Sequence, residues 1–323
     1  MRLRLLQSVV LLLAASSVLT AGGFSKLPAS ARAVSLGGTL VTLSDDPNVI
    51  FSNPAGIAAL GSLSLSTSYS QLYPGITDDN LRMVSASAVA NLGFVGNLGV
   101  GLRSFSASAW REQEFTACYA QEFFEGFSIG GSMKFLHWST PDIIGQTNED
   151  EVGLSKFTAS FEVGIQTQIQ NIFPDNDLRF GLSLGDFTRP NIAVSDSLAS
   201  PLDTKLVAGG SYISRVYNYS ITIHYTSVGE LKHWGIGAEV NVLKATVADL
   251  PAEIVLRVGG NGLTRFSAFQ DGALRLKLNT AEETLAGGFG IRLSGLDLDY
   301  AYGSTSELMN AGGTHHLSLR YSF

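Results

Sequence analysis

The chain has 323 residues, 15% of them charged and 45% hydrophobic, with a net charge of −7 and a slightly positive mean hydropathy. That charge excludes nucleic acid as a partner, because phosphate binding wants clustered Lys and Arg. The single Cys118 excludes a disulfide framework and a Cys-based metal centre. So few charges, with no helix-length apolar run after residue 21, argue for a sheet that meets lipid rather than for a soluble domain.

In chain order, "MRLR" and the apolar run "LLQSVVLLLAASSVL" are the charged and hydrophobic regions of a secretory signal peptide over residues 1–21. Small residues at Thr20, Ala21 and Gly22 place cleavage near Ala21 or Gly22, and no cysteine is there to carry a lipid. Residues 22–60 follow, with "ARAVSLGGTLVTLSDDPNVIFSNPAGIAAL" as their legible part. Gly37 and Gly38 allow a tight turn, and Asp45 and Asp46 in "SDDPN" are capping carboxylates of a loop. Asn53 is a helix N-cap and Pro54 suits the first helical position, so "NPAGIAAL" predicts one or two helical turns.

From Gly61 onward, period-two alternation replaces helical periodicity. "LSLSTSY" sets Leu63, Leu65, Thr67 and Tyr69 against serines, and "KFTASFEVGIQTQ" sets Phe157, Ala159, Phe161, Val163 and Ile165 against Lys156, Ser160, Glu162 and Gln166. Fourteen strands are predicted near 61–70, 81–90, 97–107, 113–123, 127–138, 156–168, 178–185, 204–213, 217–225, 232–242, 252–260, 284–293, 296–303 and 314–323. The segments 81–90 and 204–213 alternate poorly. An even count of strands of about ten residues suits a bacterial transmembrane barrel. Connection lengths also alternate: "FEG", "SRV" and "SG" are tight, whereas the connections around 141–155 and 261–283 are long, as between periplasmic and outer sides. A soluble β-sandwich is the competing fold for the same alternation.

Opposite the apolar faces fall Arg103, Glu114, Glu122, Lys134, Glu162, Arg179, Glu239, Arg257, Arg292, Asp297, Asp299 and Arg320. In a sandwich they would be solvated surface; in a barrel they line or fill the lumen. Trp110, Trp138, Tyr69, Tyr225 and Tyr302 near strand ends suit interfacial belts. The last strand, "HHLSLRYSF", carries Leu317, Leu319, Tyr321 and the aromatic Phe323 on one face, similar to the final-strand signal read by barrel-assembly machinery. No catalytic site is expected. His137, His224, His233, His315 and His316 are dispersed, the last two point to opposite faces, and no nucleophile motif has its required context.

The order of a small-residue run, Gly37-Gly38, Asp45-Asp46, Asn53-Pro54-Ala55-Gly56 and then strands resembles the outer-membrane family of FadL-type fatty-acid transporters and the PorV and PorQ proteins of type IX secretion. The chain is short for a fatty-acid transporter and is more similar to the PorV and PorQ branch. The resemblance implies an all-β, fourteen-stranded antiparallel barrel over residues 61–323 in the bacterial outer membrane, with residues 22–60 folded inward as a plug or hatch. It implies no cofactor and no metal. Two roles follow: a plugged channel for passive transport of small hydrophobic molecules, or an accessory subunit that binds exported cargo or a partner barrel. For the first, Gly99 and Gly101 are candidates for a kink or gap in the wall, while their ordinary role would be to make room on the inner face for a plug.

Overall fold

The computed structural model describes residues 24, 27–38, 40–61, 63–77, 79–140, 153–194, 200–229, 231–247, 249–263, 265–270, 273–277, 284–305 and 308–323. The signal peptide expected over residues 1–21 lies outside them.

Fourteen strands close into one barrel: β1 Leu63–Leu72, β2 Leu81–Asn91, β3 Asn97–Ser106, β4 Arg111–Phe124, β5 Phe127–Ser139, β6 Ser155–Phe173, β7 Asn176–Gly185, β8 Lys205–Ser214, β9 Tyr219–Val228, β10 Leu231–Val247 and β11 Leu250–Leu263, then β14 Thr284–Leu293, β15 Leu296–Thr305 and β16 Thr314–Ser322. Between β11 and β14, where only a loop was expected, β12 (Arg265–Gln270) and β13 (Ala273–Lys277) form a separate two-stranded sheet. Every barrel strand is antiparallel to its neighbours, and β16 pairs with β1 through contacts such as Leu65↔Tyr321 and Thr67↔Leu319.

Burial decides between barrel and sandwich. The large apolar side chains face out, with Leu102 57%, Phe157 63% and Val258 62% exposed, while Arg257 is 4% and Glu162 2% exposed. A sandwich would bury the first set and solvate the second; this sheet does the reverse, as one that meets lipid outside and polar groups inside must. No helix among the described residues is long and apolar enough to cross a membrane. The turns at 125–126, 174–175 and 294–295 join strands at one end, and β5 to β6, β7 to β8 and β11 to β14 are joined at the other, where 15 to 20 residues separate consecutive barrel strands. Short turns mark the periplasmic end and long connections the outer end. Closure of the circuit by the β1–β16 ladder makes the sheet resistant to detergent, so an unheated sample in SDS is expected to migrate faster than a boiled one. Equal mobility of the two would contradict a closed wall.

The segment ahead of β1 runs inside the closed sheet. Helix α1 (Ala31–Ser35) starts at Ser30, whose hydroxyl accepts from the Ala33 amide at 3.2 Å. It packs on β11, β14, β15 and β16. Two 3-10 turns follow, Pro47–Phe51 capped by Asp46 and Pro54–Ala59 capped by Asn53, and they pack on β1 to β6. The predicted helical turn of "NPAGIAAL" is thus present in 3-10 form. An apolar core forms between the segment and the wall, from Leu36, Leu40, Val49, Ile50, Phe51 and Ile57 to Val89, Cys118 and Ala120.

Candidate functional site: the inner segment and the cavities beside it

The segment enters at the outer end, where Phe24 donates its amide to the Glu112 carboxylate at 2.8 Å. Phe24 packs there with Leu136, Trp138 and Leu202, against which Trp110 and Ile192 lie. Trp110 and Trp138 stack with ring centroids 4.5 Å apart, and the Trp138 indole N–H donates to the Ile192 carbonyl at 2.8 Å. The interfacial belt expected for these two tryptophans is therefore corrected: Trp138 shares the inward parity of Lys134, so its ring closes the outer mouth. Tyr69 and Tyr302 do face outward.

Halfway down, Arg32 is the anchor. Its guanidinium meets Glu239 through two hydrogen bonds of 3.0 and 3.1 Å and lies 3.1 Å from Asp45 and 3.9 Å from Asp46. Around this centre Arg257 joins Glu239 to Asp299, Arg292 reaches Glu239 at 3.3 Å, and Arg320 reaches Asp46 at 3.2 Å and pairs closely with Asp297. Burial alone would lower the pKa of Arg32, but Asp45, Glu239 and Asp46 hold it well above the ordinary value. Burial likewise pushes Asp45 up, and Arg32 and Arg320 outweigh it, so the carboxyl sits well below its usual range even though half its side-chain surface is open. This ion pair therefore stays charged from neutral pH to below the ordinary carboxylate range. A second network lies across the lumen, where Lys134 bridges Glu162 at 2.8 Å and Asp186 at 3.2 Å and Arg103 pairs with Glu114. Most of the inward charges expected from parity are thus neutralised in pairs. Glu122 differs: it is exposed at a periplasmic turn and accepts from the Gly126 amide.

Each residue expected in the plug has a contact inside the barrel. Gly37 and Gly38 adopt φ +82° and +102° and turn the chain against Gly260 and Asn261. Asp46 accepts from the Asn48 amide at 2.9 Å. The Asn53 carboxamide accepts from Ala55 at 3.1 Å and donates to the Val41 carbonyl at 2.9 Å and the Ile165 carbonyl at 3.1 Å, tying two stretches of the segment to β6. The Pro54–Ala55 backbone lies on Gly130, and Gly56 sits against Val49, Leu43 and Gln166. Leu319 and Tyr321 are on the outer face of β16, and the Phe323 amide donates to Leu63 at 2.9 Å.

Gly99 and Gly101 make no kink or gap. β3 keeps unbroken register with β2 and β4, and a Cβ at either glycine would meet Ile50, Ile57 or Phe51. Their small size makes room for the inner segment. The same holds for Gly130, Gly164 and Gly181, where a side chain would strike Pro54, Asn53 or Val41. These three and Arg32 were missed from sequence. Their signals were present: the glycines share the parity of the inward charges, and Arg32 is the only charge between Lys26 and Asp45.

Two cavities flank the segment. The outer one, about 290 Å³, is bordered by Leu27, Val34, Leu72, Val228 and Leu231, with His233, Asn261 and His316 as polar neighbours. The periplasmic one, about 430 Å³, is lined by Arg32, Arg179, Arg215, Lys244 and Arg292 against Asp45, Glu239 and Glu253.

These features define a class: a closed outer-membrane β-barrel with the segment ahead of β1 packed against its inner wall. Residues 46–321 match the family described as "Type IX secretion system membrane protein PorP/SprF", and the chain belongs to that family. None of the curated proteins matches it. Among solved structures it is similar to the CymD monoaromatic hydrocarbon channel, with 12% identity, TM-score 0.57, and coverage of 92% of this chain and 98% of the other. The Ralstonia pickettii toluene transporter TbuX has 12% identity, TM-score 0.57, and coverage of 93% and 99%. A Pseudomonas aeruginosa FadL homologue has 11% identity, TM-score 0.55, and coverage of 93% and 100%. At such identities the likeness is one of fold. The family match names PorP/SprF, where the sequence resemblance pointed to PorV and PorQ.

Proposed function

We propose that this protein is a non-catalytic, stoppered outer-membrane subunit of a type IX secretion system, which holds an exported protein or a partner barrel at the membrane. Residues 1–21 direct its export, residues 22–60 act as the plug, and the face bearing Leu319, Tyr321 and Phe323 is read by the assembly machinery. The observation that supports this role is the fastening of the segment to opposite walls, through Arg32 to Glu239 on one side and Asn53 and Gln166 on the other. A conduit gated by this segment would have to separate buried charges at each opening, at a cost of several kcal/mol. A fixed stopper carries no such cost. In a deletion strain, type IX cargo is expected to vanish from the medium and remain in the cell, while uptake of labelled toluene stays at the parental level.

Passive uptake of small hydrophobic molecules is the second reading. The outer cavity with its apolar border favours it, as does a fold shared with hydrocarbon channels. Loss of toluene uptake with secretion intact would select it over the first.

A further inference from the structure

Beyond Val240, which pairs with Tyr219, β10 continues to Val247 bonded only to β11 among the described strands. One amide, that of Asn241, still reaches the Asn218 carbonyl at 2.9 Å. A register shift between Asn241 and Leu243 marks the point where this free stretch begins. Its side chains are exposed and include Val242, Leu243 and Val247. An unpaired strand edge presents a row of backbone donors and acceptors, which an extended chain can complete.

The edge starts inside the periplasmic cavity, because Asn241 and Lys244 belong to the lining. Five cationic side chains and three carboxylates line it, and carboxylates beyond the lining pair with two of the cations, Asp177 with Arg215 at 3.2 Å and Asp297 with Arg292 at 3.7 Å. Arg179 makes one hydrogen bond, from Nε to Gln168 at 3.0 Å, and has no ion-pair partner among the described residues. The lining also holds two buried polar atoms without hydrogen-bond partners, Ser214 Oγ and Asn241 Oδ1, while a terminal nitrogen of Arg32 and Nε of Arg292 are held in ion pairs by Asp45 at 3.1 Å and Asp297 at 3.7 Å. Arg32 and Ser214 are 3% and 2% exposed. A guanidinium with free N–H groups, as on Arg179, beside the buried Ser214 hydroxyl is the chemistry of an anion site, since a carboxylate accepts several hydrogen bonds at once.

We infer that the Asn241–Val247 edge and the adjoining cationic cavity form one docking site for an extended, carboxylate-bearing segment of a periplasmic polypeptide. The segment adds to β10 as a strand and sets its carboxylates among Arg179, Arg292 and Lys244. The unpaired Arg179 selects an acidic segment, and the edge selects an extended one over a helix. This deepens the secretion reading and rests on it for the identity of the partner.

The test uses the full-length barrel in nanodiscs and a labelled short peptide of alternating valine and glutamate. Saturable binding is expected, weakening as salt is raised and falling about tenfold in Arg179→Gln, one charge-assisted contact at an accessible site. Methylating the peptide backbone nitrogens should abolish it, and replacing glutamate by lysine should do the same. Lys244→Gln serves as a second variant if Arg179→Gln loses its heat-modifiable mobility. The inference fails if the lysine peptide binds equally, if backbone methylation has no effect, if both variants bind like wild type, or if free glutamate competes at similar concentration. Its failure is distinguishable from that of the secretion reading. A deletion strain that secretes normally removes the reading whatever the peptide does, whereas a secretion-defective deletion with no peptide binding removes this inference alone.

Discussion

Replacing Arg32 with alanine is expected to turn a closed barrel into a conducting one. The change removes the cation shared by Glu239, Asp45 and Asp46, and Arg32 and Asp46 are both buried. Breaking a buried pair from one side leaves uncompensated charge and costs about 3–5 kcal/mol. The five residues of α1 are too few to persist on helical bonding alone, and what remains to hold them is the packing of Ala31 and Val34 on Ala286 and Ala301 and the Ala31 amide on the Ser318 hydroxyl at 2.8 Å. In planar bilayers the variant should show stepwise ion currents that the parent lacks, with Arg32→Lys in between because an ammonium cannot reproduce the two-point grip on Glu239. Parental silence in Arg32→Ala would mean that apolar packing alone holds the segment.

Gly181→Val is the second large effect. A Cβ at Gly181 falls on the Val41 carbonyl, which is also the acceptor for Asn53. The segment must shift, losing that bond and adding overpacking of about 1–3 kcal/mol. Because Gly181 lies in unbroken register with β6 and β8, the wall itself should survive. Trypsin gives the readout: cleavage after Arg32 is expected in Gly181→Val and not in the parent, with heat-modifiable mobility retained in both. Gly210→Val is the control, since its added atoms would meet only ordinary contacts with Phe180 and Arg179 on β7. Equal protection of Arg32 in Gly181→Val and the parent would show that the segment does not depend on this close approach.

The wall was legible because lipid and lumen impose opposite demands on alternate residues. "KFTASFEVGIQTQ" states both demands within one strand, and the predicted span 156–168 lies inside the observed β6. The two poorly alternating segments show why hydropathy contrast can fail where geometry does not. In β2 the buried Ser85 and Ser87 face in between outward Ala86 and Ala88, and in β8 the buried Val207 faces the segment while Gly210 faces out. Small residues on both faces erase the contrast, although burial still alternates along β2. Trp110 and Trp138 were misplaced for a related reason, since a tryptophan near a strand end suits the headgroup region or a plugged mouth equally well, and only parity with Lys134 separates the two. The β12–β13 hairpin carried no distinct signal within a connection already long. Inside the barrel, Asn53-Pro54 announced its own cap. The glycines that receive it could be understood only once Gly130, Gly164 and Gly181 were seen on neighbouring strands.

The seam between first and last strands also dictates an order of events during biogenesis. The ladder joining Leu65 to Tyr321 cannot form until the final residues of the chain have been delivered, yet the stretch just upstream of β1 must already be gathered within the curling sheet. Once the seam zips, that stretch is captive: one end is covalently continuous with the wall, and the other emerges at Phe24 under a lid of tryptophans. Insertion and encasement are therefore a single act, and a barrel that closed prematurely would be empty for good.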